Sequence, residues 1–418
     1  MGAAPTDAGT ERSRLPGLRS LPRNVWAASA CSFLMDASSE MLHNLVPLFL
    51  ANVLGARTVT IGSIEGIAES IASLVKVFSG WLSDRLGSRK WLAVAGYAFS
   101  ALTRPLFYLA HSPGAIGVAR WVDRTGKGVR TAPRDALLAD AISPPQRGLA
   151  FGFHRAADTA GAALGLAVAL GVVWWLQAGQ LKLAESTFRT VALVSMVPAV
   201  LAVLALALGA REPRRKHHEG AVRLGFRGLG RPFLGLMLII GVFQLGNSSD
   251  AFLVLRAQER GMSVAQVLLM MFCFNLVYAL LSTPLGSLSD RVGRRPLIIL
   301  GWLVYAAVYL GLALAHYTWQ IWVANVVYGV YYALAHGTQL ALVADLVPAH
   351  LRGMAYGSYN AAIGILAFPA SLIAGLLWQG VGSWPGLGPT APFYFGAGMA
   401  LLAALLLALW RPQPRTTG

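Results

Sequence analysis

Arg120, Asp123, Arg124, Lys127, Arg130, Arg134 and Asp135 crowd ionisable side chains into one otherwise small and apolar stretch. At about 100° per residue they fall on a single helical arc about 140° wide. Such a stripe can line a polar path and attract an anionic group. It can equally be an internal ion-pair network that meets no ligand. Carboxylates are available for either role. Asp36 and Glu40 are spaced i,i+4, Glu65 and Glu69 repeat that spacing, and Asp158 and Asp250 lie further along. A secluded carboxylate can bind and release a proton, or it can be the permanent partner of an arginine. Asp36, Glu40 and Asp123 are the candidates for proton carriage. His154, Arg155 and Asp158 form a further cluster, either a structural network or a titrating pair. No second His or Cys stands there at zinc-ligand spacing, and His217-His218 reads as a solvated basic segment.

The corresponding stretch of the second half is different. The positions matching Arg120, Asp123, Arg124, Lys127 and Arg134 are Asn325, Tyr328, Gly329, Tyr332 and Gln339. With Tyr331 and His336 they offer aromatic surface and neutral hydrogen bonds, or simple packing between helices. Asn247, Ser248, Ser249 and Asp250 add polarity nearby. One charged surface facing one aromatic surface suits a ligand with an anionic and an apolar part. The candidate ligand contacts are therefore Arg120, Arg124, Lys127, Arg130, Arg134, Asn247, Asp250, Tyr328, Tyr332 and Gln339.

These residues must be positioned by an unusually apolar chain. It has 418 residues, 56% hydrophobic and only 12% charged. Ordinary soluble domains are about 45–50% apolar and roughly 25% charged. That balance excludes a soluble enzyme, a disordered tail and a secreted disulfide scaffold. The two cysteines, Cys31 and Cys273, lie far apart in apolar runs. Long continuous apolar runs predict membrane-spanning helices rather than barrel strands. Twelve are read, at 25–52, 60–83, 91–110, 114–138, 149–173, 190–209, 232–256, 264–288, 296–315, 319–343, 355–378 and 393–410. The fold class is an all-α polytopic membrane protein of two six-helix bundles, 25–210 and 232–410. A tail at 1–24, a basic linker at 211–231 and a tail at 411–418 complete it. No cleavable signal peptide is read at the N-terminus.

The net charge of +16 then acquires a place. Of 34 Lys and Arg, 21 fall in the tails, the linker and the loops on their side, and five on the opposite side. This bias predicts that both termini are cytoplasmic, and it removes nucleic acid as a partner. The remaining eight cations lie within the spans, against eight acids.

The halves also repeat. Gly80, Asp84, Arg85, Gly87, Arg89 and Lys90 follow the second span, and Gly286, Asp290, Arg291, Gly293 and Arg295 follow the eighth. Asp140 with Arg147 and Gly152 is mirrored by Asp345 with Arg352 and Gly357 at an offset of 205. Together these features resemble the major facilitator superfamily over essentially the whole chain. Its loop motif G-x-x-x-D-R-x-G-x-R-[RK] is present in both halves. Arg120 and Gly126 resemble the family's fourth-span pattern, although Arg124, Lys127, Arg130, Arg134 and Asp135 depart from it. Gly152, Gly161 and Gly165 keep the spacing of its antiporter motif, while the motif's Gly-Pro is missing.

The resemblance implies secondary active transport by alternating access, with Gly80, Asp84, Arg85, Gly87, Arg89, Asp290 and Arg291 as the gating motif. The expected activity is proton-coupled export of a small anionic or amphipathic compound from a bacterial inner membrane, by a monomer. Proton-coupled uptake of an organic anion is the alternative within transport. A non-transporting sensor or assembly partner is the alternative outside it. No nucleophile, metal or phosphate-binding constellation appears, so neither an enzyme nor a cofactor is expected.

Overall fold

The computed structural model describes residues 20–142, 147–212, 229–348 and 351–410. The side chains of Asp84, Arg147 and Gly148 lie outside that description, as do most of the linker, the first 19 residues and the last eight. The described residues are predominantly helical and form twelve membrane-crossing rods. The first bundle comprises α1 (Arg23–His43), α2 (Leu45–Asn52), α3 (Thr58–Leu86), α4 (Lys90–Leu109), α5 (Pro113–Ala141), α6 (Arg147–Gln177) and α7 (Glu185–Gly209). The second comprises α8 (Gly230–Gly246), α9 (Ala251–Glu259), α10 (Val264–Val292), α11 (Arg294–Leu314), α12 (Thr318–Asp345), α13 (Arg352–Gln379) and α14 (Ala391–Leu409).

Two expected spans are not continuous helices. The first breaks at Asn44, between α1 and α2. Pro47 has no N–H for the carbonyl of His43, and its ring crowds that carbonyl. The seventh breaks at 247–250, between α8 and α9. There Asn, Ser, Ser and Asp follow one another, and such side chains compete with the helix for backbone groups. The Ser249 hydroxyl duly accepts from the Ala251 N–H at 3.3 Å. Other ends follow local rules. Ser112 caps α5 ahead of Pro113, and Ser263 with Gln266 forms a capping box on α10. Gly87 and Gly293, the last glycines of the two loop motifs, end α3 and α10 at φ 68° and 98°. A side chain there would be strained, which accounts for glycine at that place in both copies.

Among the described residues, eight spans are long and apolar enough to cross a membrane by composition alone. The rods left out contain α1, α3, α5 and α12. Large apolar side chains such as Trp175, Leu208 and Leu238 point outward instead of into a core, which is the surface that lipid would cover.

Within the first bundle α5 sits between α3 and α4 because it has no side chains where they meet. A Cβ on Gly126 would stand 2.7 Å from the Gly96 carbonyl oxygen, and one on Gly128 would stand 2.7 Å from Val75 Cβ. In the same way Gly161 and Gly165 bring α6 against the carbonyls of Phe33 and Ala37 on α1. The bundles meet mainly through α3 and α13. Thr58 N–H donates to Gln379 Oε1 at 2.8 Å, Arg57 to the Gln379 carbonyl at 3.0 Å, and Ser70 to the Gly364 carbonyl at 2.5 Å. Gln258 adds a bond to the Leu181 carbonyl at 2.6 Å. Among the described residues, these inter-bundle bonds run from the face away from the termini inward as far as Ser70. The halves are thus joined at one end.

Candidate functional site

Between the bundles lies a cavity of about 310 Å³, within the range of small-molecule sites. The first bundle contributes His43, Glu69 and Ser73 to it. The second contributes Gln244, Asn247 and Asp250 from the broken seventh rod, Tyr331, Tyr332, His336 and Gln339 from α12, and Tyr359 and Ser371 from α13. A much smaller charged recess, about 20 Å³, adjoins it through His43. Asp36, Glu40, Arg120, Asp123, Arg124, Lys127 and Arg130 line this recess. Each of the four rods that is not apolar enough to be recognised as a span contributes to one or both of these spaces.

Most of the charge on α5 is paired. Arg120 holds Glu65 through both carboxylate oxygens, with its shortest contact 2.7 Å. Arg124 meets Glu69 at 2.9 Å. Asp123 accepts from Arg104 of α4 at 3.2 Å. Arg130 reaches Asp36 at 3.9 Å and lies over the Tyr97 ring. Arg134 turns to Asp135, to Asp158 and to the Ser32 hydroxyl, outside both spaces. Buried guanidiniums persist at bilayer depth because each has such partners.

Lys127 differs. It is exposed and lines the recess, and its ammonium group makes no ion pair or hydrogen bond with any described residue. Of the carboxylates whose charge it feels, Glu69 and Asp36 already serve Arg124 and Arg130, and Glu40 stands beyond ion-pairing distance. Glu40, also in the recess, has no cation within pairing distance among the described residues.

His43 was not singled out in the sequence, although it lies i+3 from Glu40 and i+7 from Asp36 on the same helix face. Its Nδ1 accepts from Arg120 at 2.7 Å and from Arg124 at 3.3 Å. A guanidinium can only donate, so Nδ1 bears the lone pair and the ring proton sits on Nε2. His43 is therefore a neutral donor at the junction of the two spaces.

In the second bundle Asn247, Asp250, Tyr332 and Gln339 line the cavity, and Gln339 accepts from the Tyr359 hydroxyl at 3.0 Å. Tyr328 stands behind the wall in a ring cluster with Tyr305, Tyr309 and Tyr331, and its hydroxyl donates to Asp250 at 3.1 Å. Asn325 is buried and donates to the Met270 carbonyl. Gln244 and Tyr359 join the site without having been anticipated. His154 and Asp158 are 3.7 Å apart, with His154 also bonded to Ser29.

The loop-motif residues gather at the face that carries the termini. Arg89 pairs with Asp140 at 2.7 Å, and Glu212 accepts from the Arg89 N–H at 2.7 Å. Arg85 lies over the Trp81 ring, and a Cβ on Gly80 would touch Ala132. In the second copy Arg294 bridges Asp290 and Asp345, while Arg291 is exposed at the end of α10. The contacts described at both copies stay within one bundle.

Comparison with known proteins agrees with this architecture. The family model described as Major Facilitator Superfamily matches residues 28–255 and again 236–418. An uncharacterized MFS-type transporter of Methanocaldococcus jannaschii is 33% identical over 395 residues, covering 93% of this chain and 95% of the relative. A probable 4-methylmuconolactone transporter of Cupriavidus pinatubonensis is 27% identical over 298 residues, 66% of this chain and 65% of the relative. Among solved structures, a POT family transporter in complex with 5-aminolevulinic acid superposes with a TM-score of 0.77 at 12% identity, covering 94% of this chain and 97% of the other. A D-xylose-proton symporter does so with 0.72 at 19% identity, covering 93% and 98%. At those identities the likeness is one of fold.

Proposed function

The chain belongs to the Major Facilitator Superfamily and is a secondary transporter, and from that premise we propose that it exports a small amphipathic organic anion in exchange for protons. The observation that carries the anion is Lys127. Four α5 arginines are neutralised by protein carboxylates, and the one α5 cation without a partner among the described residues faces the recess beside the cavity. The neutral N–H of His43 is a second donor for the same group. Tyr331, Tyr332 and Phe243 supply the apolar wall. Glu40, which has no ion pair among the described residues, is the first proton carrier in this reading and Asp36, 3.9 Å from Arg130, the second, because Asp123 is held more closely by Arg104 at 3.2 Å. The export direction draws support from Gly161 and Gly165, two glycines of the antiporter spacing that α1 packing requires. In this reading the termini, and with them the unjoined end of the two bundles, face the cytoplasm, and the positive-inside bias of the loops supports it.

Proteoliposomes with an imposed pH gradient test this with 3-phenylpropanoate and 4-methylmuconolactone as first cargoes. Counter-movement of anion and protons is the expected result. Lys127→Gln should lower anion transport about tenfold or more, the scale of one charged hydrogen bond, and Lys127→Arg should retain it. Anion transport that ignores Lys127 removes the anion site, and movement of both species in the same direction replaces export by uptake.

A further inference from the structure

The aromatic second bundle also has an acid at the cavity wall, and that acid has no counter-ion among the described residues. Asp250 sits at the break between α8 and α9 and lines the cavity. Its side chain does not cap α9. The one hydrogen bond described for its carboxylate comes from the Tyr328 hydroxyl at 3.1 Å. A carboxylate offers about four acceptor sites, so most of its capacity is unspent. The ionised groups that act on it are Glu69, Glu40 and Glu65, all of its own sign. No ion pair to Asp250 occurs among the described residues.

The same wall is aromatic. Tyr331 and Tyr332 line the cavity with ring centroids 5.1 Å apart, and Phe243 stands 5.9 Å from Tyr331. Aromatic rings and a carboxylate without a cation in one cavity wall are the environment that favours an ammonium group, through the ring quadrupole and direct ion pairing. Packing alone does not explain Asp250. Tyr328 supplies one neutral hydrogen bond, and a buried carboxylate without a cation is costly unless it takes up a proton or a cation reaches it from the cavity.

We propose that Asp250 with Tyr331 and Tyr332 forms a subsite for a protonated or quaternary amine. The cargo is then amphoteric, held by its anionic group at Lys127 and by its amine at Asp250, across the two bundles. The amine half of this statement stands on Asp250 alone; only the amphoteric cargo rests on the anion reading of Lys127. A cargo bridging both bundles would also couple its own binding to their relative movement.

Charged thiol reagents test the two ends separately. Asn247→Cys places a reporter on the cavity wall near Asp250, in a Cys273→Ala background where Cys31 is fully buried. 2-Aminoethyl methanethiosulfonate should label it about tenfold faster, relative to a free thiol, than the anionic 2-sulfonatoethyl reagent. Asp250→Asn should abolish that preference. 2-Phenylethylamine should slow labelling when Asp250 is present and not in Asp250→Asn. A preference unmoved by Asp250→Asn, or an amine that protects neither protein, overturns the subsite. Ser39→Cys in the recess reports on the other end, with the sulfonate reagent favoured until Lys127→Gln is introduced. Loss of that effect alone refutes the anion site and leaves the amine subsite standing. Normal labelling at Ser39→Cys also shows that Asp250→Asn has folded.

Discussion

Helices α5 and α12 occupy equivalent places in the two bundles and solve burial in opposite ways. In α5, Arg120, Asp123 and Arg124 are buried by ion pairing with α3 and α4. In α12 the matching Asn325 and Tyr328 are buried by amide and ring contacts. Yet the register is shared. Lys127 and Tyr332, which correspond at the offset of 205, each line one of the two ligand spaces. The difference teaches that charge in a membrane helix is not by itself a measure of function. Most of it on α5 holds the bundle together, and the residue omitted from the pairing is the one left to act on a ligand.

The strongest way to break this comparison is to unpair α5. Arg120→Gln strands Glu65 in a buried site and should cost about 3–5 kcal/mol, read by thermal or denaturant unfolding in detergent. Arg120→Met with Glu65→Met should recover much of the loss; if it does not, the pair does more than satisfy itself. Next comes the close approach that makes such pairing possible. Gly126 of α5 corresponds to Tyr331 of α12, and Gly126→Val drives a side chain into the Gly96 carbonyl and Ser100. A loss of about 1–3 kcal/mol is expected from such overpacking. On the α12 side, Tyr328→Phe removes one hydrogen bond to a carboxylate, for about 1.5 kcal/mol in the same assay. Lys127→Gln has the smallest expected effect on stability, within about 0.5 kcal/mol, since no protein partner is lost. A large drop in melting temperature for that variant would mean that Lys127 is structural after all.

Much of this was legible beforehand for particular reasons. Apolar run length reveals spans, and the repeated loop motif reveals the duplication. The polar stripe on α5 was visible as a helical period, and its asymmetry with α12 by alignment of the halves. His43, Gln244 and Tyr359 were not legible, since a lone polar residue in an apolar run has many readings. Pro47 and the run Asn247–Asp250 carried the signal for the two helix breaks, but within long apolar spans they were read through.

What the sequence by itself determined is the set of helices, their duplication and the sign of charge on each, because these follow from composition and from short-range periodicity. Which arginine takes which carboxylate was decided only by the tertiary structure. Pairing depends on how closely α3, α4 and α5 approach at Gly96, Gly126 and Gly128, and on which side chains that approach brings within reach. Equal numbers of acids and cations are compatible with many pairings, and only their arrangement in space leaves Glu40, Lys127 and Asp250 without an ion-pair partner among the described residues.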